Sequence, residues 1–152
     1  MDKLPEDENS TKEYIKFKPH HLSITVKDPE RSKNFYKIFG FREIFRWSNG
    51  KTNIIHMKLN DLILEIFSFK DFIKPSLTNI DLYDDLKILG LKHIALKVDD
   101  IEKAKNFLIK KGIVDKNVEI KRGRTGILYF FIKDPDGIYI EIVQDCRNIL
   151  KF

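Results

Sequence analysis

The chain states one pattern twice, and that internal repeat constrains its fold more than any other feature. His21 to Phe41 (HLSITVKDPERSKNFYKIFGF) lies over His93 to Ile113 (HIALKVDDIEKAKNFLIKKGI), with His, Val, Asp, Glu, Lys, Asn, Phe and Gly falling on themselves. The later half of each copy matches too, DLILEIFSF over DGIYIEIVQ, which sets Glu65 over Glu141. Two copies therefore supply two histidines and two glutamates, a set able to hold a metal ion.

Within each copy the pattern predicts strand, helix, three strands. In HLSITV the apolar Leu22, Ile24 and Val26 alternate with His21, Ser23 and Thr25, the period of a half-buried strand. Asp28-Pro29-Glu30 then reads as an N-cap, a first-turn proline and a first-turn acid, with Gly40 where a helix C-terminal glycine belongs. Strands are expected near Phe41 to Trp47, Asn53 to Leu59 and Leu62 to Ser68, joined by SNGK and ND turns that suit hairpins. The second copy repeats the order: strand Lys92 to Val98, a helix capped near Asp99 or Asp100, then strands near Val118 to Lys121, Ile127 to Ile132 and Ile138 to Gln144. The tight turn Asp134-Pro135-Asp136-Gly137 links the last two. The chain thus divides into an arm over 1–16, a first module over 17–69, a linker over 70–90 that lacks a clean period, a second module over 91–145 and a tail over 146–152.

Composition excludes several classes of function. The single Cys146 rules out a disulfide framework and a cysteine-based zinc site, and a lone thiol suits a reducing cytoplasm. No run of about 18 apolar residues offers a membrane span, and the N-terminus lacks the apolar stretch of a signal peptide. A soluble, cytoplasmic protein without membrane partners is expected. The net charge of +5 comes from Lys and Arg interleaved with Asp and Glu, without the dense basic stripe of a nucleic-acid binder.

Strand alternation puts His21 and His93 on the faces opposite Leu22/Ile24/Val26 and Ile94/Leu96/Val98, and Glu65 and Glu141 opposite Leu64/Ile66 and Ile140/Ile142. A carboxylate inside an apolar strand must be solvated, paired or bound to a cation, because an isolated buried charge costs several kcal/mol. A lone strand histidine is ordinarily a packing or surface residue; four matched residues in two repeats point to ligation. Imidazole nitrogen with carboxylate oxygen suits Zn, Ni, Co, Fe or Mn and is too nitrogen-rich for a dedicated Ca or Mg cage. His20 has no counterpart, since Lys92 stands there, and His56 is expected on a solvated or cavity-lining strand position.

HHLSITVKDPERSKNFYKIFGF, LILEIFSF, GLKHIALKVDDIEKAKNFL and FFIKDPDGIYIEIVQ resemble the vicinal oxygen chelate superfamily, the group of glyoxalases, bleomycin-resistance proteins and extradiol dioxygenases. The resemblance runs from about His20 to Gln144. It implies an α+β fold of two tandem βαβββ modules forming a cleft around one divalent metal ion, and commonly a homodimer. The set His21, Glu65, His93 and Glu141 is similar to that of glyoxalase I. Thiol-transferases and dioxygenases of the group resemble a His, His, Glu set instead, and methylmalonyl-CoA epimerase usually has Gln where Glu65 stands.

The chemistry so implied is that of a lyase or isomerase acting on a hemithioacetal, or a similar hydroxy-carbonyl small molecule. The metal polarises vicinal oxygens and a carboxylate moves a proton between adjacent carbons. Glu141 is the candidate base and Glu65 a second shuttle. Glutathione-using relatives commonly carry Arg near the position of Thr25; with Thr there, glutathione, another small thiol and a non-thiol substrate all stand as candidates. Arg122 and Arg124 are candidate anion contacts, though a solvated turn is the simpler reading of both, and Arg46 and Trp47 are candidate cleft-lining residues, Trp47 being equally readable as packing. The alternatives are a drug-sequestering protein of the bleomycin-resistance kind, and a thiol-transferase or dioxygenase of the same fold.

Overall fold

A computed structural model describes residues 15–77 and 79–147. The expected arm therefore lies outside the described residues up to residue 14, and the expected tail from residue 148 onward. The first module consists of β1 (His21–Thr25), α1 (Pro29–Lys37), β2 (Arg42–Ser48), β3 (Thr52–Leu59) and β4 (Leu62–Phe69). After α2 (Leu82–Lys87) come β5 (His93–Lys97), α3 (Ile101–Lys110), β6 (Lys121–Arg122), β7 (Leu128–Lys133) and β8 (Tyr139–Gln144). Each module makes one four-stranded sheet, in the orders β1-β4-β3-β2 and β5-β8-β7-β6. β1 runs parallel to β4, and β5 to β8, the helix of each module providing the crossover. This is the tandem βαβββ arrangement that the repeat predicts.

Local chemistry sets the element ends. Asp28 Oδ1 accepts the backbone N–H groups of Glu30 and Arg31 at 3.0 and 3.1 Å, and Pro29 opens α1, where a missing N–H is no loss. Asp100, not Asp99, caps α3 by accepting from Lys103 N at 3.0 Å. At the β3–β4 hairpin Leu59 pairs with Leu62 across the two residues Asn60 and Asp61, and Asn60 takes the φ of +49° that such a tight turn demands.

Two details depart from the expected elements. Residues 82–87, inside the segment read as a periodless linker, form a short helix capped by Asp81, whose side chain accepts from Asp84 N at 2.9 Å. Six residues with no buried position leave no apolar stripe for a periodicity argument to find. The strand expected near Val118 to Lys121 reduces to Lys121–Arg122.

One hydrophobic cluster runs through both modules. It joins Ile55, Met57, Leu64, Ile66 and Tyr36 of the first to Phe130, Ile140, Ile142, Ile101 and Leu108 of the second. The Asp134–Gly137 turn locks the modules polar group to polar group. The buried Tyr36 hydroxyl donates to Asp134 Oδ2 at 2.9 Å, and Arg31 donates to Pro135 O at 2.7 Å. Asp134 Oδ1 in turn accepts from Asp136 N and Ile138 N, both at 2.9 Å. Among the described residues no helix is long and apolar enough to cross a membrane.

Candidate metal centre

Register builds the site row by row. Across the first sheet Ser23, Glu65, His56 and Phe45 are successive cross-strand partners. Across the second, Ala95, Glu141 and Phe131 hold the same places. Because β1 and β5 are edge strands, His21 and His93 sit at the sheet margins, beside the glutamates of β4 and β8.

The structure joins each histidine to the glutamate of its own module. His93 Nε2 lies 3.0 Å from Glu141 Oε2, and His21 Nε2 lies 3.5 Å from Glu65 Oε1. Both glutamates are mostly withdrawn from solvent, their side chains 16% exposed at Glu65 and 13% at Glu141. Ligands on an ion with bonds of about 2.1 Å stand about 3 Å apart at right angles and about 3.4 Å apart at tetrahedral angles, so the His93–Glu141 pair matches the first spacing and the His21–Glu65 pair lies near the second. His93 Nδ1 is buried with no hydrogen-bond partner, and the ring stands edge-on to Phe131 with centroids 5.0 Å apart. Its Nε2 is thus the nitrogen turned to the carboxylate. At His21 the other ring nitrogen is engaged, Nδ1 lying 2.8 Å from His20 Nδ1.

The four donors do not come together within the chain. Among the described residues no group of three or more His, Cys, Asp or Glu side chains is set to hold a metal ion. The donors stand instead as two separate His–Glu pairs, one on each sheet. A cavity of about 750 Å³ between the modules, lined by Ile38, Phe39, Leu59, Phe107 and Leu108 among others, touches none of the four. His21 instead borders a cavity of about 340 Å³ with Pro19, His20 and Asp61.

The glutamates differ in their surroundings. Glu65 Oε1 accepts the Ser23 hydroxyl at 2.7 Å, and Oε2 meets His56 Nε2 at 2.7 Å. The Ser23 bond, then His56 and the nearby His21, hold its carboxyl below the usual glutamate range against the opposing effect of burial. The chain itself thus already partners Glu65, which needs an outside cation less than an unpaired strand carboxylate would. Ala95 and Phe131 replace Ser23 and His56 beside Glu141, and neither side chain can donate a hydrogen bond.

His56, expected on a solvated or cavity-lining strand position and not among the candidate site residues, stands against Glu65. A two-residue turn after Leu59 fixes its place, since counting outward from the Leu59–Leu62 pair sets His56 opposite Glu65. Of the candidate substrate contacts, Arg46 is tied down: its Nε and Nη2 donate to the Glu43 carboxylate at 2.8 and 2.9 Å, and Nη1 reaches Glu30. Arg122 donates to Gly126 O at 3.1 Å, and Arg124 lies in the exposed turn that follows. Trp47 is 45% exposed, in a row with Ile54, Phe67 and Thr25. On the second sheet Lys97, Val143, Tyr129 and Lys121 form the row next to Glu141, so two lysines share its face.

The model of the Glyoxalase/Bleomycin resistance protein/Dioxygenase superfamily matches residues 18–142. The chain belongs to that superfamily. It is 30% identical over 129 residues to the uncharacterized protein YwkD of Bacillus subtilis, across 82% of this chain and 94% of that protein. A solved glyoxalase family protein from Enterococcus faecalis is 30% identical with a TM-score of 0.67, over 83% of this chain and 96% of that one. Lactoylglutathione lyase of Schizosaccharomyces pombe is 29% identical over 91% of this chain, which spans 51% of that longer enzyme. The superfamily includes such enzymes, and its members typically depend on a divalent metal.

Proposed function

We propose that this protein is a divalent-metal-dependent lyase or isomerase of the glyoxalase I type, acting in the cytoplasm on a hemithioacetal or similar hydroxy-carbonyl small molecule. The observation that carries the reading is the duplicated His–Glu pair, His21 with Glu65 and His93 with Glu141, at ligand-to-ligand spacing on matching positions of both modules. The 29% identity to a lactoylglutathione lyase supports it.

The four residues would hold one Zn, Ni, Co, Mn or Fe ion, which when bound supplies Lewis-acid polarisation of the substrate's adjacent oxygens. Glu141 is the proton-moving group: it meets His93 through Oε2 but has no counterpart of the Ser23 hydroxyl and the His56 imidazole that occupy both oxygens of Glu65, so its carboxylate is the freer to accept and return a proton. Glu65, with both oxygens already engaged by Ser23 and His56, is the less available base. Lys97 and Lys121 would attract an anionic substrate across the Glu141 face, a role fitting them better than Arg46, whose fork is already filled.

A homodimer completes the site. Within one chain the two half-sites occupy separate sheets, while among the described residues β1 and β5 each present an unpaired edge. Setting β1 of one copy beside β5 of another would bring the edge carrying His21 to the edge carrying His93, with Glu65 and Glu141 one strand in. The exposed Phe45 and Trp47, at 52% and 45%, give the first sheet an apolar open face. That same face is what favours the second reading, sequestration of an aromatic drug without chemistry.

Two experiments test the proposal. Glu141→Gln is expected to lower kcat on a methylglyoxal–thiol adduct about a hundred- to ten-thousand-fold with metal largely retained; full activity would contradict the base assignment. Mixing His21→Ala and His93→Ala chains restores one intact site per mixed dimer if sites form between copies, and none if they form within one chain.

A further inference from the structure

The repeat makes the two half-sites look interchangeable, yet one position separates them. Opposite Glu65 across the β3–β4 ladder stands His56; opposite Glu141 across β7–β8 stands Phe131. An ionised carboxylate only accepts hydrogen bonds, so the 2.7 Å contact between His56 Nε2 and Glu65 Oε2 places a proton on that nitrogen. That contact is shorter than the 3.0 Å of His93 to Glu141 and the 3.5 Å of His21 to Glu65, which leaves no room between nitrogen and oxygen for both to bind one ion. The imidazole is braced by Phe45, with ring centroids 5.4 Å apart, and its side chain is 24% exposed.

We infer that His56 is a positioning residue: by pinning Glu65 Oε2 it turns Oε1 toward His21 and makes Glu65 the fixed ligand of the pair, leaving Glu141 as the mobile carboxylate. Ser23 completes the clamp on Oε1 at 2.7 Å, and the facing lone pair of that oxygen remains for an ion. The first module is then a pre-formed half-site, and the second the half where the proton moves. The inference rests on the metal reading proposed above. It goes beyond it by assigning the difference between two otherwise matched modules to a residue that is not a ligand.

The test uses the full chain, freed of metal by chelation and titrated with Co²⁺ while its visible absorption is followed. His56→Phe, which copies the second module's Phe131, is expected to weaken binding about 10–100-fold, the usual cost of losing a hydrogen bond to a metal ligand, with the absorption bands unchanged. His56→Gln, whose amide N–H can replace the donor, is expected to recover most of that loss, and thermal melts of both variants report whether the fold is intact. Binding by His56→Phe as tight as wild type would overturn the inference. So would altered bands matching those of His21→Ala, which would make His56 a ligand. Wild-type protein that binds no Co²⁺ would remove the metal reading and this role with it. Nitrogen-resolved NMR of the metal-free chain separates the two failures: the His56 proton is expected on Nε2, and finding it on Nδ1 overturns the positioning role whatever the metal does.

Discussion

Replacing Tyr36 by Phe removes one oxygen and tests whether the polar clamp between the modules matters to stability. The hydroxyl is fully buried and donates at 2.9 Å to Asp134, a carboxylate only 5% exposed. A hydrogen bond to a charged group is worth about 1.5–3 kcal/mol, and the other Asp134 contacts come from its own turn and cannot reach the vacated place. For a chain of this size that corresponds to about 3–12 °C in Tm. Burial raises the Asp134 pKa above its ordinary 3.8, while the Tyr36 bond opposes that rise. The sign follows from linkage. Stability from a group with a raised folded-state pKa is fully present below 3.8 and is lost as pH climbs through the folded value. Deleting the hydroxyl raises that value further, so the variant's deficit is smallest in acid and grows toward neutrality. Urea unfolding of both proteins at pH 3.5 and pH 7 measures it. A neutral-pH difference under about 0.5 kcal/mol, or a deficit that widens in acid, would refute the reasoning.

Further expectations concern the surface ion pairs and the same turn. Glu43 is drawn down to about 2, first by Arg46 and then by Lys33, so its contribution holds above the ordinary 4.5 and fades as pH falls toward that lower value. In Arg46→Ala a carboxyl-detected NMR titration should find Glu43 well on the way back to 4.5, and an unmoved midpoint would show that the fork does not hold it. Gly137 closes the Asp134 turn at φ +90°, a region costly for residues with a Cβ, so Gly137→Ala should lose about 1–2 kcal/mol in chemical denaturation. An unchanged midpoint there would contradict the turn geometry.

Much of the fold was legible because the determinants are local and doubled. Asp28 and Asp100 cap their helices, the Asn60-Asp61 turn sets a hairpin, and strand alternation puts His21, Glu65, His93 and Glu141 opposite the apolar positions of their strands. α2 was hidden because its six residues bury nothing. The inter-module role of Asp134 was hidden for a different reason: a DPDG turn looks the same whether it is solvated or docked on Tyr36 of another module. Convergence of the four donors depends on how sheets meet, which no spacing within a strand encodes, and the chain alone keeps them as two pairs. His56 lay between these cases, readable from the hairpin register but invisible to comparison of the repeats, because its counterpart is Phe131.

The account's central claim is that two His–Glu pairs hold one divalent ion, and metal content measures it most directly. Elemental analysis of protein purified without added metal, then stripped and reloaded, should give about one tightly bound ion per chain, lost in His93→Ala. No stoichiometric metal under any loading would contradict the claim, leaving the fold in place and making ligand sequestration the reading to pursue.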